Sequence, residues 1–125
     1  MFRLKDIEEF MVEGFKKPSI IQGILRSEYK NEIEKLFIFE KPESMELSVL
    51  RVKHGYRDQG VGKNIMKKLI DYADKNNKII HLTPSDTWGS SIIRLKKYYK
   101  SFGFVMNKGK NKNYLYNDTM IRYPG

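Results

Sequence analysis

The residues with the most evident chemistry form one short run, Arg57-Asp58-Gln59-Gly60-Val61-Gly62. Glycine at Gly60 and Gly62 removes the Cβ where a ligand must come close to the backbone. A helix starting there would add the unpaired N–H groups of its first turn and the positive end of its dipole. Arg57 supplies a permanent charge with planar donors. Together these groups make an anion site suited to phosphate. The glycines taken alone fit an ordinary strand-to-helix turn equally well. The run is not a dinucleotide fingerprint, which needs a third glycine, nor a P-loop, which ends in Gly-Lys-Ser/Thr. Groups able to move protons stand elsewhere: Glu46, His54, His81, Tyr98 and Tyr99. The chain has no cysteine, so a thiol nucleophile and an acyl-cysteine intermediate are excluded. No cluster of His, Asp and Glu has metal-ligand spacing, and no metal site is expected.

The pattern around the run supplies the elements that must hold it. Leu47 to Val52 is an aliphatic, β-branched stretch that reads as a strand. After the run, Val61, Ile65, Leu69 and Ala73 recur at i, i+4, widened by Met66 and Ile70. Lys63, Lys67, Lys68, Asp71 and Asp74 take the opposite face, which predicts an amphipathic helix. Lys78 to Thr83 reads as the next strand, and strand, helix, strand at this spacing predicts a right-handed parallel crossover.

Upstream, Leu4 to Phe15 has a helical face and stops at Lys17-Pro18. Ser19 to Tyr29 reads as a second short helix in spite of Gly23. Lys35 to Phe39 is a strand, Glu40 to Ser44 a turn, and Glu46 to Val52 returns to complete a hairpin. Downstream, Pro84 to Ser91 is a loop with Asp86, Trp88 and Gly89 in it. Ser90-Ser91 suits an N-cap, and Ile92 to Phe102 is a helix stopped by Gly103. Phe104 to Met106 starts a strand, Asn107 to Asn113 is a basic loop, and Tyr114 to Arg122 is expected to pair back as the last strand.

Two blocks carry a family resemblance. Val52 to Gly62 has the pattern Arg-x-x-Gly-x-Gly after an apolar strand and before an amphipathic helix. It resembles the coenzyme A pyrophosphate loop of the GNAT acetyltransferases. Leu95 to Phe104, containing Tyr99-Lys100-Ser101-Phe102-Gly103-Phe104, is similar to that family's later helix, which ends in Tyr-x-x-x-Gly-Phe. The resemblance covers about residues 45 to 106, and the tail looks like a short phage and bacterial branch. It implies an α/β (α+β) fold: a mixed, mostly antiparallel sheet with a central parallel strand–helix–strand crossover and flanking helices. A further first strand, usual in the family, has no clear place here.

The resemblance also implies a reaction, acetyl transfer from acetyl-CoA to a primary amine by direct attack in a ternary complex. Holding a lysine-like amine neutral at pH 7.4 costs about 4 kcal/mol, which a base and desolvation offset. Glu46, eleven positions before Arg57, matches the base of the protein-acetylating members, and His81 is the alternative. Tyr99, four before Gly103, matches the general acid that protonates the leaving thiolate, with Tyr98 as the adjacent candidate. The cofactor-binding set carried over is Leu50, Val52, Arg57, Gln59, Gly60, Val61, Gly62 and Lys63. Ser91 or Arg94 stands in for an asparagine the family often has where this chain has Ile92.

Composition sets the remaining bounds. At 125 residues, with 40% hydrophobic and 13% aromatic content, the expectation is one globular domain over residues 1–125. No apolar run reaches membrane-spanning length and no signal-peptide core is evident, so a cytoplasmic protein is expected. The net charge of +9 is large and suits a polyanionic cofactor, an acidic protein or nucleic acid. Thr87 to Asn117 contains no Asp or Glu, yet holds Arg94, Lys96, Lys97, Lys100, Lys108, Lys110 and Lys112. An acidic protein as amine acceptor is therefore the favoured partner. The competing reading is a non-catalytic binding module for nucleic acid or a host protein, with Tyr98, Tyr99, Phe102, Phe104 and Tyr114 between the cations.

Overall fold

The computed structural model describes residues 16–85 and 91–125. The helix expected over Leu4 to Phe15 and the loop residues 86–90 lie outside the described residues.

Ser19 opens the first helix, α1 (Ile20–Glu28), by accepting the Ile21 N–H on its hydroxyl at 3.2 Å. The helix turns Ile21 and Leu25 into the core and leaves Ile20 and Ile24 exposed. Strands β1 (Ile33–Glu40) and β2 (Ser44–Val52) form the expected antiparallel hairpin. The loop run leads into α2 (Val61–Lys75), whose buried stripe is Val61, Ile65, Met66, Leu69 and Ala73. Then come β3 (Ile79–Leu82), α3 (Ile92–Lys100), β4 (Val105–Met106) and β5 (Met120–Arg122). The described residues thus contain three α-helices and five strands in the order β1-β2-β3-β5-β4. Only β2 and β3 run parallel, so the mixed, mostly antiparallel sheet with one crossover is as the sequence implied. The expected extra first strand is not found among the described residues.

Two details of β2 matter for function. Its parallel pairing with β3 covers Ser44↔Ile79, Met45↔Ile80 and Glu46↔His81 and then stops, although β2 runs on to Val52. At the same point the β1 register slips. Phe37 faces Val49 and Ile38 faces Leu47, leaving Ser48 as an extra, bulged residue. A bulge bends the strand that carries it and increases its twist. Here it turns the second half of β2 away from β3.

The last strand is shorter than the sequence suggested. Only Met120–Arg122 pairs, because the stretch before it is bound by a side chain instead of a ladder. The buried Asn107 amide donates to the carbonyls of Tyr116 and Asp118, both at 3.1 Å. Its oxygen accepts the Asn113 N–H at 2.6 Å. α3 also ends earlier than expected, at Lys100, and the chain reverses through Gly103 at φ +96°. Arg122 closes this corner, donating to the Phe102 carbonyl at 2.8 Å and to Asp74 of α2 at 2.7 Å.

A second polar knot joins α1, the hairpin and α2. The Glu40 carboxylate accepts hydrogen bonds from Ser19 at 2.7 Å, from Tyr72 at 2.9 Å and from Lys78. Burial works against its charge, but the donations from Lys78, Ser19 and Tyr72 outweigh that and hold the carboxyl below its usual range. A depressed folded-state pKa gives stability that is present above the unfolded value, about 4.3. That stability is lost as pH falls through the folded value. Glu40→Gln should therefore lower stability by about 1 to 3 kcal/mol near neutral pH. As pH falls through the depressed folded value, the difference between variant and parent should shrink, which denaturant melts at a series of pH values would check.

Candidate active site

Where β2 and β3 part, a cleft of about 380 Å³ opens through the sheet. Leu47 to Val52 form one wall, Leu82 to Ser85 the other, and Leu95 and Tyr99 of α3 close one side. Carbonyl and N–H groups along this half of β2 have no β3 partner, so an extended chain with amide groups could pair with them. Arg57 stands at the loop end of the same cleft.

The Arg57 guanidinium is fixed by two contacts. Its Nε donates to the Val52 carbonyl at 3.1 Å, and its Nη1 lies 3.5 Å from His54 Nδ1. Gln59 is spent on the loop itself, donating to the Gly55 carbonyl at 3.2 Å. Gly60 is the N-cap of α2 at φ +78°, a backbone state that glycine adopts without strain. No side chain caps the helix, and no acidic residue lies in its first turn. The first helical N–H to find an intrahelical acceptor is that of Asn64, on the Gly60 carbonyl at 3.0 Å. A plain turn explains Gly60 through its positive φ. It does not explain Gly62, where an added Cβ would make only ordinary contacts, 3.7 Å to the Tyr98 hydroxyl and 3.9 Å to Val52. Glycine there keeps the helix end open to an approaching group.

The two neighbouring tyrosines separate onto different faces of α3. Tyr99 lines the cleft. Tyr98 faces α2, in a hollow shared with Lys63, Lys67 and Phe102. Burial, with a smaller contribution from Tyr98, pushes the Tyr99 phenol up to about 12. Such a hydroxyl stays protonated throughout the neutral range and can donate a proton or a hydrogen bond.

Glu46 and His81 are register partners at the last pair before the strands separate. Side chains alternate along a strand, so these two point away from the face on which Leu47 and Leu82 sit. They line a separate hollow of about 100 Å³ with Lys16, Lys17, Glu40 and Lys41. Glu46 pairs with Lys16 at 3.3 Å. His81 Nδ1 contacts the Asp118 carboxylate, and the ring stacks on Tyr116 at 4.5 Å between centroids. The hydrogen bond with His81 holds the Asp118 carboxyl below its usual range against the opposing effect of burial.

Of the residues singled out in the sequence, Leu50, Val52, Arg57 and Tyr99 line one cleft, and Gly60, Val61 and Gly62 form the helix end at its mouth. Lys63 lies on the α2–α3 side. Ser91 accepts the Arg94 N–H at 3.4 Å as N-cap of α3, and the Arg94 side chain is exposed, outside the cleft lining. Ser48, Leu95, Tyr116 and Asp118 were not picked out. For Asp118 no local pattern exists: it reaches His81, 37 residues away, only because β3 and β5 pair. Among the described residues no group of three or more His, Asp or Glu could hold a metal ion.

The family model described as an acetyltransferase (GNAT) domain matches residues 23–114. The chain belongs to the GNAT acetyltransferases. It is an N-acetyltransferase by that membership, and the mixed sheet is the GNAT-like fold. Among solved structures it is similar to Ard1 from Thermoplasma volcanium, at 19% identity over 81% of this chain and 76% of that one, with a TM-score of 0.48. No curated protein matches the sequence. No helix among the described residues is long and apolar enough to cross a membrane.

The position of Tyr99 can be checked directly. In protein labelled with 13C at tyrosine Cζ, the Tyr99 signal, assigned by its loss in Tyr99→Phe, should show no ionisation up to pH 10. A midpoint near 10, the ordinary phenol value, would mean that the ring is solvated and not buried against α3.

Proposed function

We propose that this acetyltransferase takes acetyl-CoA as its acyl donor and transfers the acetyl group directly to a primary amine, as one domain over residues 1–125. The observation that carries this reading is the continuity of the site. A half-strand that β3 does not cover, a guanidinium and an uncapped helix N-terminus lie along one cleft, in the order an amide chain and a diphosphate require. Arg57 and the N–H groups at Gly60, Val61 and Gly62 take the pyrophosphate. Leu50 and Val52 flank the pantetheine, and Lys63 and Arg94 supply cations for the outer phosphate. The residues fit such a ligand: the face of Gly60 where a Cβ would point is open for 4 Å, and nothing acidic stands in the first turn of α2.

Tyr99 protonates the departing sulfur. The amine approaches from the opposite face of the sheet, where Glu46 and His81 line their own hollow beside the point at which β2 and β3 part. The favoured acceptor is an amine on an acidic protein. Two basic features support this. Lys16, Lys17 and Lys41 surround the hollow that holds Glu46 and His81. The exposed Tyr114 and Leu115 stand beside Lys110 and Lys112. Family membership favours turnover over the competing binding-module reading.

Acetyl-CoA at a hundredfold excess over its Kd should stabilise the fold by about 2.7 kcal/mol. Gly60→Glu should remove that gain by straining the cap and placing a negative charge among the N–H groups; no thermal shift in the parent would end the proposal. The acceptor class is tested by kcat/KM on polyamines, amino acids and aminoglycosides beside an acidic lysine peptide at two salt concentrations. Efficient, salt-independent use of one small amine would overturn the protein acceptor and leave acetyl transfer standing. Tyr99→Phe should lower kcat by about 10² to 10⁴-fold with acetyl-CoA affinity kept, since only the donor is lost. Tyr98→Phe, whose ring faces α2 and does not line the cleft, should leave kcat near the parent's.

A further inference from the structure

We propose that His81, oriented by Asp118, is the group that takes the proton from the acceptor amine, and that Glu46 is not. The inference rests on the acetyl-transfer reading and assigns the base within it.

Four observations carry it. First, His81 is the β3 member of the last β2–β3 pair, next in sequence to Leu82 of the cleft wall and on the other face of the sheet. Second, its Nδ1 faces the Asp118 carboxylate. A carboxylate only accepts hydrogen bonds, so the neutral imidazole must carry its proton on Nδ1 and present a lone pair at Nε2. Among the described residues no hydrogen bond engages Nε2. Third, the orienting group is itself built in. Asp118 Oδ1 accepts the Thr83 hydroxyl at 3.2 Å, and Thr83 Oγ1 accepts the Thr119 N–H at 3.1 Å. Tyr116 stacks on the imidazole and fixes its plane. Fourth, the Glu46 carboxylate is already engaged by a cation, Lys16, at 3.3 Å. The other charged groups lining the hollow are Lys17, Glu40 and Lys41, and Glu40 is engaged by Lys78.

The proton balance closes. The acceptor ammonium gives one proton to His81 Nε2, and the neutral amine nitrogen attacks the thioester carbonyl carbon. The new C–N bond forms, the C–S bond breaks, and the sulfur takes the Tyr99 proton. The nitrogen sheds its surplus proton to water, water reprotonates Tyr99, and the imidazolium releases its proton to solvent. One proton is released per acetyl group transferred. Asp118 touches no reacting atom and is a positioning residue.

The test has two arms. With the acceptor that the parent turns over fastest, His81→Gln should lower kcat/KM by at least about 100-fold and flatten the acid limb of its pH profile. Acetyl-CoA affinity should be unchanged. Imidazole added to His81→Ala should restore part of the rate, which a merely structural histidine would not allow. Asp118→Asn should lower kcat/KM in the same direction. Glu46→Gln should keep the parent's acid limb. The second arm needs no acceptor. 15N-imidazole NMR of the whole chain, with His54→Gln to leave one histidine, should show the neutral ring of His81 protonated at Nδ1. A proton on Nε2, or a His81→Gln variant with the parent's rate and pH profile, overturns the assignment. A parent that binds acetyl-CoA but acetylates no amine refutes the transfer reading instead, and the NMR arm still decides the tautomer.

Discussion

The end of the β2–β3 pairing at Glu46 and His81 is the constraint on which the rest of this structure depends. Two parallel strands that stay paired leave no room between them. These separate after three pairs, and the bulge at Ser48 turns β2 outward at that point. Backbone groups that would have satisfied each other are left facing a cleft. The separation is tolerable because both strands are held elsewhere. β2 remains paired with β1 along its length, and β3 remains paired with β5. The sheet therefore keeps its integrity while opening through its middle.

Polar anchors hold the elements around this opening. Asp74 and Arg122 tie α2 to β5 and to the turn that ends α3, so the helix carrying Tyr99 keeps a fixed distance from the loop helix. Glu40 gathers Ser19, Tyr72 and Lys78 and fixes the hairpin against α1 and α2. Asn107 binds the segment before β5 and thereby delivers Tyr116 and Asp118 to His81. Buried polar groups of this kind cost stability when one partner is lost, and each of these three fixes one boundary of the site.

The two sides of the sheet have different chemistry at the apex. On one side Tyr99 is held protonated by burial, beside an aliphatic wall. On the other, the hydrogen bond with His81 holds the Asp118 carboxyl below its usual range, and His81 lines a hollow with three lysines. Environment, more than residue type, separates the two sides.

The local parts of this protein were legible in its sequence. The stripe Val61, Ile65, Leu69 and Ala73 defined α2, the aliphatic run defined β2, and Gly60 marked the turn between them, because hydrophobic period and backbone freedom are properties of neighbouring residues. The two family-like blocks placed Arg57 and Tyr99 for the same reason. The distinction between Tyr98 and Tyr99 needed the helix to be seated, since a one-residue step rotates a side chain by about 100°. The short β5 was missed because Asn107 claims carbonyls that a periodic reading gives to a ladder. Ser48, Tyr116 and Asp118 were invisible for a related reason. A bulge is a mismatch between two strands, and the His81–Asp118 contact joins residues 37 positions apart. Neighbouring residues alone set which segments become helix and strand and where the glycine turn falls. Where the sheet splits, and that Asp118 meets His81 beside the split, came from tertiary packing, because strand register and long-range pairing depend on the fold as a whole.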